Sequence, residues 1–219
     1  MDDAAPANWA TEILDPQDEQ GKRRLALLQA AFDVVAQAGF EGLRTRAVAD
    51  RAGVNIATLH YYFPGKQKLV EGLSRFMSAQ FVTLHGPAPK PSGFPALDHL
   101  RQEFADAQFY LKQHSDLLLI QTEFFMRGQR DPEVKKVVEE MRSHWLQSIQ
   151  DILRQGMADR TFRSDLPFRD ALAFLMATLS GTAWARPEQM DAIQRQAESW
   201  LLSPLAKRRL ATMKGSKKK

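Results

Sequence analysis

Apolar residues recur at three- and four-residue steps along most of this chain, and that spacing limits the fold more than any other feature of the sequence. Leu25, Leu28 and Phe32 show the pattern where it begins. No run alternates apolar and polar residues with a period of two, and β-branched residues are sparse, so nothing predicts a sheet. With 44% hydrophobic residues the chain can bury a core. We therefore predict an all-α fold and exclude wholesale disorder.

Glycine and proline divide the first part of this pattern into three helices. Gly39 lies where the C-terminal cap of a helix is expected, and Gly53 supplies a tight turn. Pro64 and Gly65 stop the third helix. A fourth helix is predicted from Lys66 to about residue 84.

A segment rich in proline and glycine, residues 86–93, separates this N-terminal part from a larger helical body. Helical periodicity resumes after it with few breaks. The predicted helices of the body lie at about 94–113, 115–128, 131–159, 167–185 and 187–203.

The charges divide the chain into four segments. Residues 1–21 carry six acids and no Lys or Arg, which predicts a flexible acidic arm, whereas residues 22–70 carry eight bases against three acids. Residues 71–205 are close to neutral, and residues 206–219 form a basic tail. A basic block of this kind fits either an anionic partner or a solvated surface, and charge alone does not decide between them.

The composition also limits the cellular compartment and the kinds of site that the chain can form. Without Cys the chain has no disulfide framework, no thiolate nucleophile and no Cys-ligated metal site. No stretch reaches the roughly 20 apolar residues that a membrane helix needs. The first residues lack the order of a signal peptide. We expect a soluble cytoplasmic protein with no membrane partner.

Two short helices joined through Gly53 form a helix-turn-helix candidate. Projection of the second helix at 100° per residue places Leu59 and Phe63, with Ile56, on the core side. The opposite face is small, hydroxylated, aromatic and uncharged, and consists of Ala57, Thr58 and Tyr61. Such a face suits a groove lined by base edges, with Arg46 and Lys66 beside it for phosphates. The alternative for Lys66 is a plain surface lysine.

The run from Leu43 to Lys66, LRTRAVADRAGVNIATLHYYFPGK, closely resembles the tetracycline-repressor-like (TetR) family of bacterial transcription regulators. The motif covers about residues 22–70, and the later helices match only in length, order and layout. The resemblance implies an N-terminal three-helix helix-turn-helix domain. A connecting helix would join it to a C-terminal helical domain that binds a small-molecule effector and dimerises.

The resemblance also implies a homodimer bound to double-stranded DNA at a palindromic operator. Thr45 and Arg46 would contact phosphate, whereas Asn55, Ile56 and Ala57 would face the groove. Thr58, Tyr61 and Lys66 would contact the DNA backbone. Position 60, often Tyr in the family, is His60 here, so its backbone contact would be absent or would depend on pH. Ile56 stays open, because the projection places it near the core and the resemblance places it near the bases.

The effector and dimer contacts are predicted from apolar helical faces in the body. Aromatic residues with a few polar groups, as in a ligand cavity, are Phe104, Gln108, Gln121, Phe124 and Trp145. The predicted dimer interface is Phe174, Leu175, Thr178, Leu179 and Thr182. Plain core packing is the alternative for both sets. Glu123 is either a group that meets a cationic ligand or a surface acid.

Two other classes of function remain beside a regulator, and the first is an enzyme. The five histidines show no metal-binding spacing, and no nucleophile elbow, Walker lysine loop or dinucleotide fingerprint occurs. We therefore predict no enzyme activity, no cofactor and no metal. A helical interaction protein without DNA binding is the other class, and the presence of Thr45, Arg46, Tyr61 and Lys66 argues against it. The prediction is a repressor that an effector releases from its operator.

Overall fold

The computed structural model describes residues 8–216, with side chains from 9 to 213. The helices are α1 (Asn8–Leu14), α2 (Glu19–Gly42), α3 (Thr45–Arg51), α4 (Ile56–Tyr62), α5 (Lys66–Thr83), α6 (Pro95–Gln113), α7 (Ser115–Gly128), α8 (Pro132–Ala158), α9 (Phe168–Gly181), α10 (Met190–Leu201) and α11 (Pro204–Ser216). Two 3₁₀ turns, Thr182–Trp184 and Pro187–Gln189, lie between α9 and α10. The described part of the chain contains no strand, so the all-α prediction is confirmed.

The helices form two compact units. The first contains the described residues up to Leu84 together with His114–Ser143, and the second contains His85–Gln113 and the chain from His144 onward. These units do not follow the predicted limits of 22–70 and 71–205. The whole of α5 belongs to the first unit, and so does α7, because the Phe124 ring packs edge to face on Phe40 of α2. Helix periodicity revealed that α7 has an apolar side but not which helix covers that side.

The first unit is built around α2, which packs against α3, α5 and α7. The buried side chains of α2 recur at helical spacing and include Leu28, Phe32 and Val35. Phe32 meets Phe76 of α5 edge to face, with ring centroids 5.9 Å apart. This packing gives the short helices α3 and α4 a rigid base.

The acidic arm predicted for residues 1–21 is corrected over its described part. Asn8–Leu14 is a helix that packs on α5 and buries Ala10 completely, with Trp9 half-buried. Asp18 caps α2 by accepting a hydrogen bond from the Gly21 N–H at 2.7 Å, so α2 begins earlier than expected. Residues 1–7 lie outside the described part of the chain.

The second unit has its own hydrophobic core, which α6, α8, α9 and α10 share. Large side chains at its centre include Phe104, Leu153, Phe162 and Leu175. Arg101 of α6 and Glu198 of α10 form two parallel hydrogen bonds of 2.8 Å at the edge of this core. The bidentate geometry fixes the two helices relative to each other.

The segment predicted as a basic tail, residues 206–219, is part of helix α11 as far as Ser216. Ala206 is fully buried and Leu210 is half-buried, so one side of α11 packs on the second unit. The Ser203 hydroxyl accepts a hydrogen bond from the Ala206 N–H at 3.1 Å and starts the helix. Residues 217–219 lie outside the described part. Within it, no helix is both long and apolar enough to cross a bilayer.

Gly39 produces a sharp kink in α2, with φ 67° and ψ 179°. Only glycine adopts this combination without strain, which confirms the predicted role of Gly39 at the end of the first long helix. The kink turns Phe40 inward, where it is 4% exposed.

We expect Gly39→Ala to lower the free energy of unfolding by about 1–3 kcal/mol, because alanine is strained at this φ and ψ. Urea denaturation followed by circular dichroism measures the change. Gln37→Ala, at an exposed position two residues earlier, is the control and should stay within about 0.5 kcal/mol of the wild type. Equal stability of both variants would contradict the assigned strain.

Candidate nucleic-acid interface

The turn between α3 and α4 is closed by backbone hydrogen bonds. The Gly53 N–H bonds to the Asp50 carbonyl at 3.2 Å, and the Val54 N–H bonds to the Ala49 carbonyl at 3.0 Å. Gly53 has a φ of 66°, which a β-carbon would oppose. The turn therefore sets α4 at a fixed angle to α3, as a helix-turn-helix requires.

Helix α4 presents one buried and one exposed face. Leu59 and Phe63 are 0% and 1% exposed, as the projection predicted. Ala57 and His60 are exposed, Thr58 is half-buried, and Tyr61 is 72% exposed. The outward face is thus a free surface of small and aromatic side chains that carries no acidic group.

Ile56 corrects the helical projection, which placed it on the core side. Its side chain is 41% exposed, because Ile56 is the first residue of α4 and side chains lean toward the N-terminus of their helix. It therefore extends past the core residues Leu59 and Phe63. The position implied by the family resemblance fits this exposure.

Asn55 caps α4. Its Oδ1 accepts hydrogen bonds from the Thr58 N–H at 2.7 Å and from the Thr58 hydroxyl at 2.9 Å. Thr58 gives its only hydroxyl proton to this bond, so donation to a phosphate would require the hydroxyl to rotate away. The exposed Asn55 amide keeps its N–H donors for another acceptor.

Thr45, Arg46 and Lys66 lie at helix N-termini on the same unit. Arg46 is exposed, and Thr45 is the half-buried first residue of α3. Arg44 occupies the cap position without a side-chain bond. Lys66 is the exposed first residue of α5, after Gly65 with a φ of 93°. Free backbone N–H groups and cations thus occur together, an arrangement suited to anions.

Sequence patterns did not reveal the contact beneath Lys66. The Lys66 ammonium nitrogen is 5.4 Å from the centroid of the Phe40 ring. Glu123 is half-buried and has a structural role, because its Oε2 accepts the Phe40 N–H at 3.1 Å. The only local signal was Gly39, which predicted that the helix ends or changes direction just before Phe40.

The chain is similar to known proteins in sequence and in fold. The sequence model of the family described as "Bacterial regulatory proteins, tetR family" matches residues 27–73, which span most of α2 to the middle of α5. The HTH-type transcriptional repressor KstR2 of Mycolicibacterium smegmatis is 29% identical over 187 residues, covering 79% of this chain and 84% of the relative. KstR2 of Rhodococcus jostii is 28% identical over 203 residues, covering 86% and 95%. The family model and these relatives support an assignment to the TetR family.

The likeness to a solved TetR-family structure extends over the body of the chain. The ketosteroid transcriptional regulator KstR2 of Mycobacterium tuberculosis matches with a TM-score of 0.56 at 21% identity, covering 83% of this chain and 95% of that one. At this identity the match shows the fold alone. It supports an N-terminal helix-turn-helix followed by a helical C-terminal part.

The residues predicted to bind the effector are divided between the two units. Phe104, Gln108 and Trp145 belong to the second unit, whereas Gln121 and Phe124 belong to the first. Gln121 is exposed, and Phe124 is 1% exposed against Phe40. The core-packing alternative therefore accounts for Phe124. Phe104 also lies in a core, while Gln108 and Trp145 are half-buried.

The residues predicted for a TetR-type dimer interface are also divided. Leu175, Leu179 and Thr182 are buried inside the second unit, so their assignment to an interface is wrong. Thr182 donates to the Leu179 carbonyl at 2.6 Å. Phe174 is 37% exposed and Thr178 is half-buried, so both can still reach a partner.

Trp184, which the interface prediction did not include, is 77% exposed. It continues an exposed stripe along α9 at three- and four-residue steps, which we call the α9 stripe: Phe174, Ala177, Gly181 and Trp184. The three- and four-residue spacing of the α9 stripe is visible in the sequence, but the prediction placed the dimer interface mainly on the more apolar face beside it. That face is the one that packs inside the chain.

A carboxylate lies beside Trp145 in the second unit. Glu103 accepts hydrogen bonds from the Trp145 indole N–H at 2.9 Å and from the Ser148 hydroxyl at 3.4 Å. Burial raises the pKa of the Glu103 carboxyl, and these two hydrogen bonds only partly oppose the effect. A surface ion pair of Glu103 with His99, which their four-residue spacing would allow, is replaced by this contact.

We expect Glu103→Gln to increase the free energy of unfolding at pH 7. Folding raises the pKa of the Glu103 carboxyl above its ordinary value of 4.5, so the folded protein binds this proton more tightly than the unfolded chain does. The free energy of unfolding therefore falls as the pH rises through and above 4.5. A glutamine has no carboxyl to titrate, so this loss of stability disappears, and its side-chain oxygen can still accept the hydrogen bond from the Trp145 indole N–H. Urea denaturation at several pH values between 4 and 8 measures it. Glu188→Gln, at an exposed position, is the control, and an unchanged pH profile in Glu103→Gln would contradict the assignment.

Proposed function

We propose that this protein is a homodimeric transcriptional repressor that binds a palindromic DNA operator through α4. The observation that carries the proposal is the outward face of α4, with Ala57 and Tyr61 exposed above buried Leu59 and Phe63, in a chain assigned to the TetR family. Relatives matched over most of their length are named as HTH-type repressors. An α-helix with such a face fits the major groove of B-DNA.

The residues divide by their chemistry into those that read bases and those that hold phosphates. Ile56 and Ala57 have no side-chain donors, so they read the groove by apolar contact, most directly with thymine methyl groups. Asn55 adds hydrogen-bonding groups on the same side. The contacts to phosphates around this face would come from Thr45, Arg46, Thr58, His60, Tyr61 and Lys66.

Replacement of Arg46 or Lys66 by Ala should weaken binding to every duplex and flatten its salt dependence. Removal of one side chain that neutralises a phosphate should reduce the slope of log K against log salt by roughly 0.9. Fluorescence anisotropy with a duplex selected from a random pool, titrated at several salt concentrations, measures both effects.

Lys112→Ala is the matched control, because Lys112 is an exposed lysine in the second unit. It removes the same charge without touching the proposed interface and should leave the slope unchanged. Equal slopes in the Arg46, Lys66 and Lys112 variants would show that neither Arg46 nor Lys66 binds phosphate.

Dimerisation would use the α9 stripe. Phe174 and Trp184 are large apolar side chains exposed on one stripe, and the Phe174 ring packs at a tilt on Trp200 of α10 with centroids 4.4 Å apart. Two copies related by a twofold axis could bury this stripe against itself, as an isologous interface requires. The two recognition helices would then meet two half-sites of a palindrome.

We expect Trp184→Ser, and more strongly the double variant with Phe174→Ser, to shift the protein from dimer toward monomer. The substitutions remove the large apolar surface that the partner would cover. Sedimentation velocity over a range of concentrations measures the dissociation constant. Leu119→Ser, which removes an exposed leucine of α7, should have no effect. A tight dimer in the double variant would rule out the stripe.

The effector would bind in the second unit, beside the half-buried residues Gln108 and Trp145. There the Glu103 carboxyl, held by Trp145 and Ser148, is a polar group able to orient a ligand. Binding would release DNA by favouring a dimer whose recognition helices no longer match the operator. A cytoplasmic location follows from this function.

An enzyme and a helical interaction protein are the alternatives to this proposal. The assignment to a family of regulatory proteins favours the regulator over the enzyme. Operator binding with a steep salt dependence separates a regulator from both, since neither alternative requires a specific duplex.

A further inference from the structure

The side chain of Phe40 connects α7 to the N-terminus of α5. The kink at Gly39 removes the Phe40 N–H from the hydrogen-bond ladder of α2, and Glu123 of α7 accepts it at 3.1 Å. A β-carbon at Gly39 would lie 3.5 Å from the Glu123 carboxylate, so the two helices approach closely here. The position of Phe40 is therefore set jointly by the kink and by α7.

One aromatic side chain and two cations are among the groups that contact the buried Phe40 ring. Phe124 of α7 meets it edge to face, with centroids 5.4 Å apart. The Arg127 guanidinium carbon lies 5.7 Å from its centroid, and the Lys66 ammonium lies 5.4 Å from it. Helix α7 thus supplies two of the three contacts, and the third is the lysine that we assign to phosphate.

The positive charge of Arg127 is balanced by acids and not by the ring alone. Arg127 Nη1 lies 3.0 Å from the Glu41 carboxylate, and its Nε lies 3.5 Å from Asp131. The pair with Glu41 holds the guanidinium against α2, and the two acids together offset the repulsion between the two cations that lie near the Phe40 ring. A second cation near the same ring is therefore tolerated.

Lys66 needs such a support. It is the first residue of α5, where the helix dipole disfavours a cation, and its flexible stem has several rotamers of similar energy. A ring beneath the ammonium offsets the dipole and restricts those rotamers. The ammonium is then already ordered when a phosphate arrives, which reduces the entropy cost of the contact.

We propose that Phe40 is a positioning residue for DNA binding, whose ring holds Lys66 in place for a phosphate of the operator. Helix α7 sets the ring through Glu123, Phe124 and Arg127, so a movement of α7 changes the phosphate contact made by α5. This inference rests on the proposed function, because it presupposes that Lys66 binds DNA.

A double-mutant cycle of Phe40→Leu and Lys66→Ala tests the proposal. Leucine keeps an apolar side chain but removes the ring, so operator affinity should fall about two- to five-fold, the range of an exposed cation–π contact. In the Lys66→Ala background the same substitution should have no further effect. The salt slope of Phe40→Leu should shift toward that of Lys66→Ala.

Phe32→Leu is the matched control, since Phe32 is a buried phenylalanine of the same helix that packs on Phe76 instead of Lys66. It should alter operator affinity equally with and without Lys66. Phe40→Tyr, which keeps an aromatic face, should retain the coupling to Lys66.

A second pair of variants, at Glu123, distinguishes a loss of Lys66 positioning from a general loss of folding. In Glu123→Gln the side chain still has an oxygen that accepts the Phe40 N–H, whereas Glu123→Leu has none. Removal of Lys66 should cost less affinity in the Glu123→Leu background than in the Glu123→Gln background. Thermal unfolding identifies any variant that fails to fold, and the Glu123 arm then decides alone.

The outcomes are distinct. Equal reductions of affinity by Phe40→Leu with and without Lys66 would overturn the positioning role while leaving DNA binding intact. If the wild-type protein bound no duplex, the proposed function would fail and this inference with it.

Discussion

Helix α4 has seven residues, too few to be a stable helix in water by itself. It exists because Leu59 and Phe63 are buried beneath it and because Asn55 closes its first turn. These inward contacts also decide what points outward. Once Leu59 and Phe63 are fixed in the core, Ala57 and Tyr61 must face solvent. The surface that we assign to DNA is therefore a consequence of the core on the opposite side.

Local rules were enough to predict this part of the chain. Gly53 and the Pro64–Gly65 pair end their helices as expected, and the spacing of Leu59 and Phe63 located the buried face. The projection failed only at Ile56, where α4 begins and the core does not cover its first residue. The prediction that α4 binds DNA came from the family resemblance, since an uncharged helical face alone does not indicate which molecule it binds.

Contacts between distant residues could not be predicted. The bonds from Glu123 to Phe40 and from Arg127 to Glu41 join residues 83 and 86 positions apart. Periodicity showed that α7 has an apolar side, but it did not show that α2 covers it. For the same reason Leu175 and Leu179, which lie in the chain's own core, were predicted to lie at an interface. A helix face that is apolar can meet its own chain or a partner, and sequence spacing treats both alike.

The outward face of α4, with Lys66 beside it, is the surface that we assign to duplex DNA. The most direct measurement is an NMR titration of the labelled protein with a duplex selected from a random pool. We predict that the amide signals of residues 55–61 and of Lys66 shift together and saturate at one duplex per dimer. Shifts confined to α9 and α10, with the signals of Ala57 and Tyr61 unmoved at saturation, would contradict this assignment.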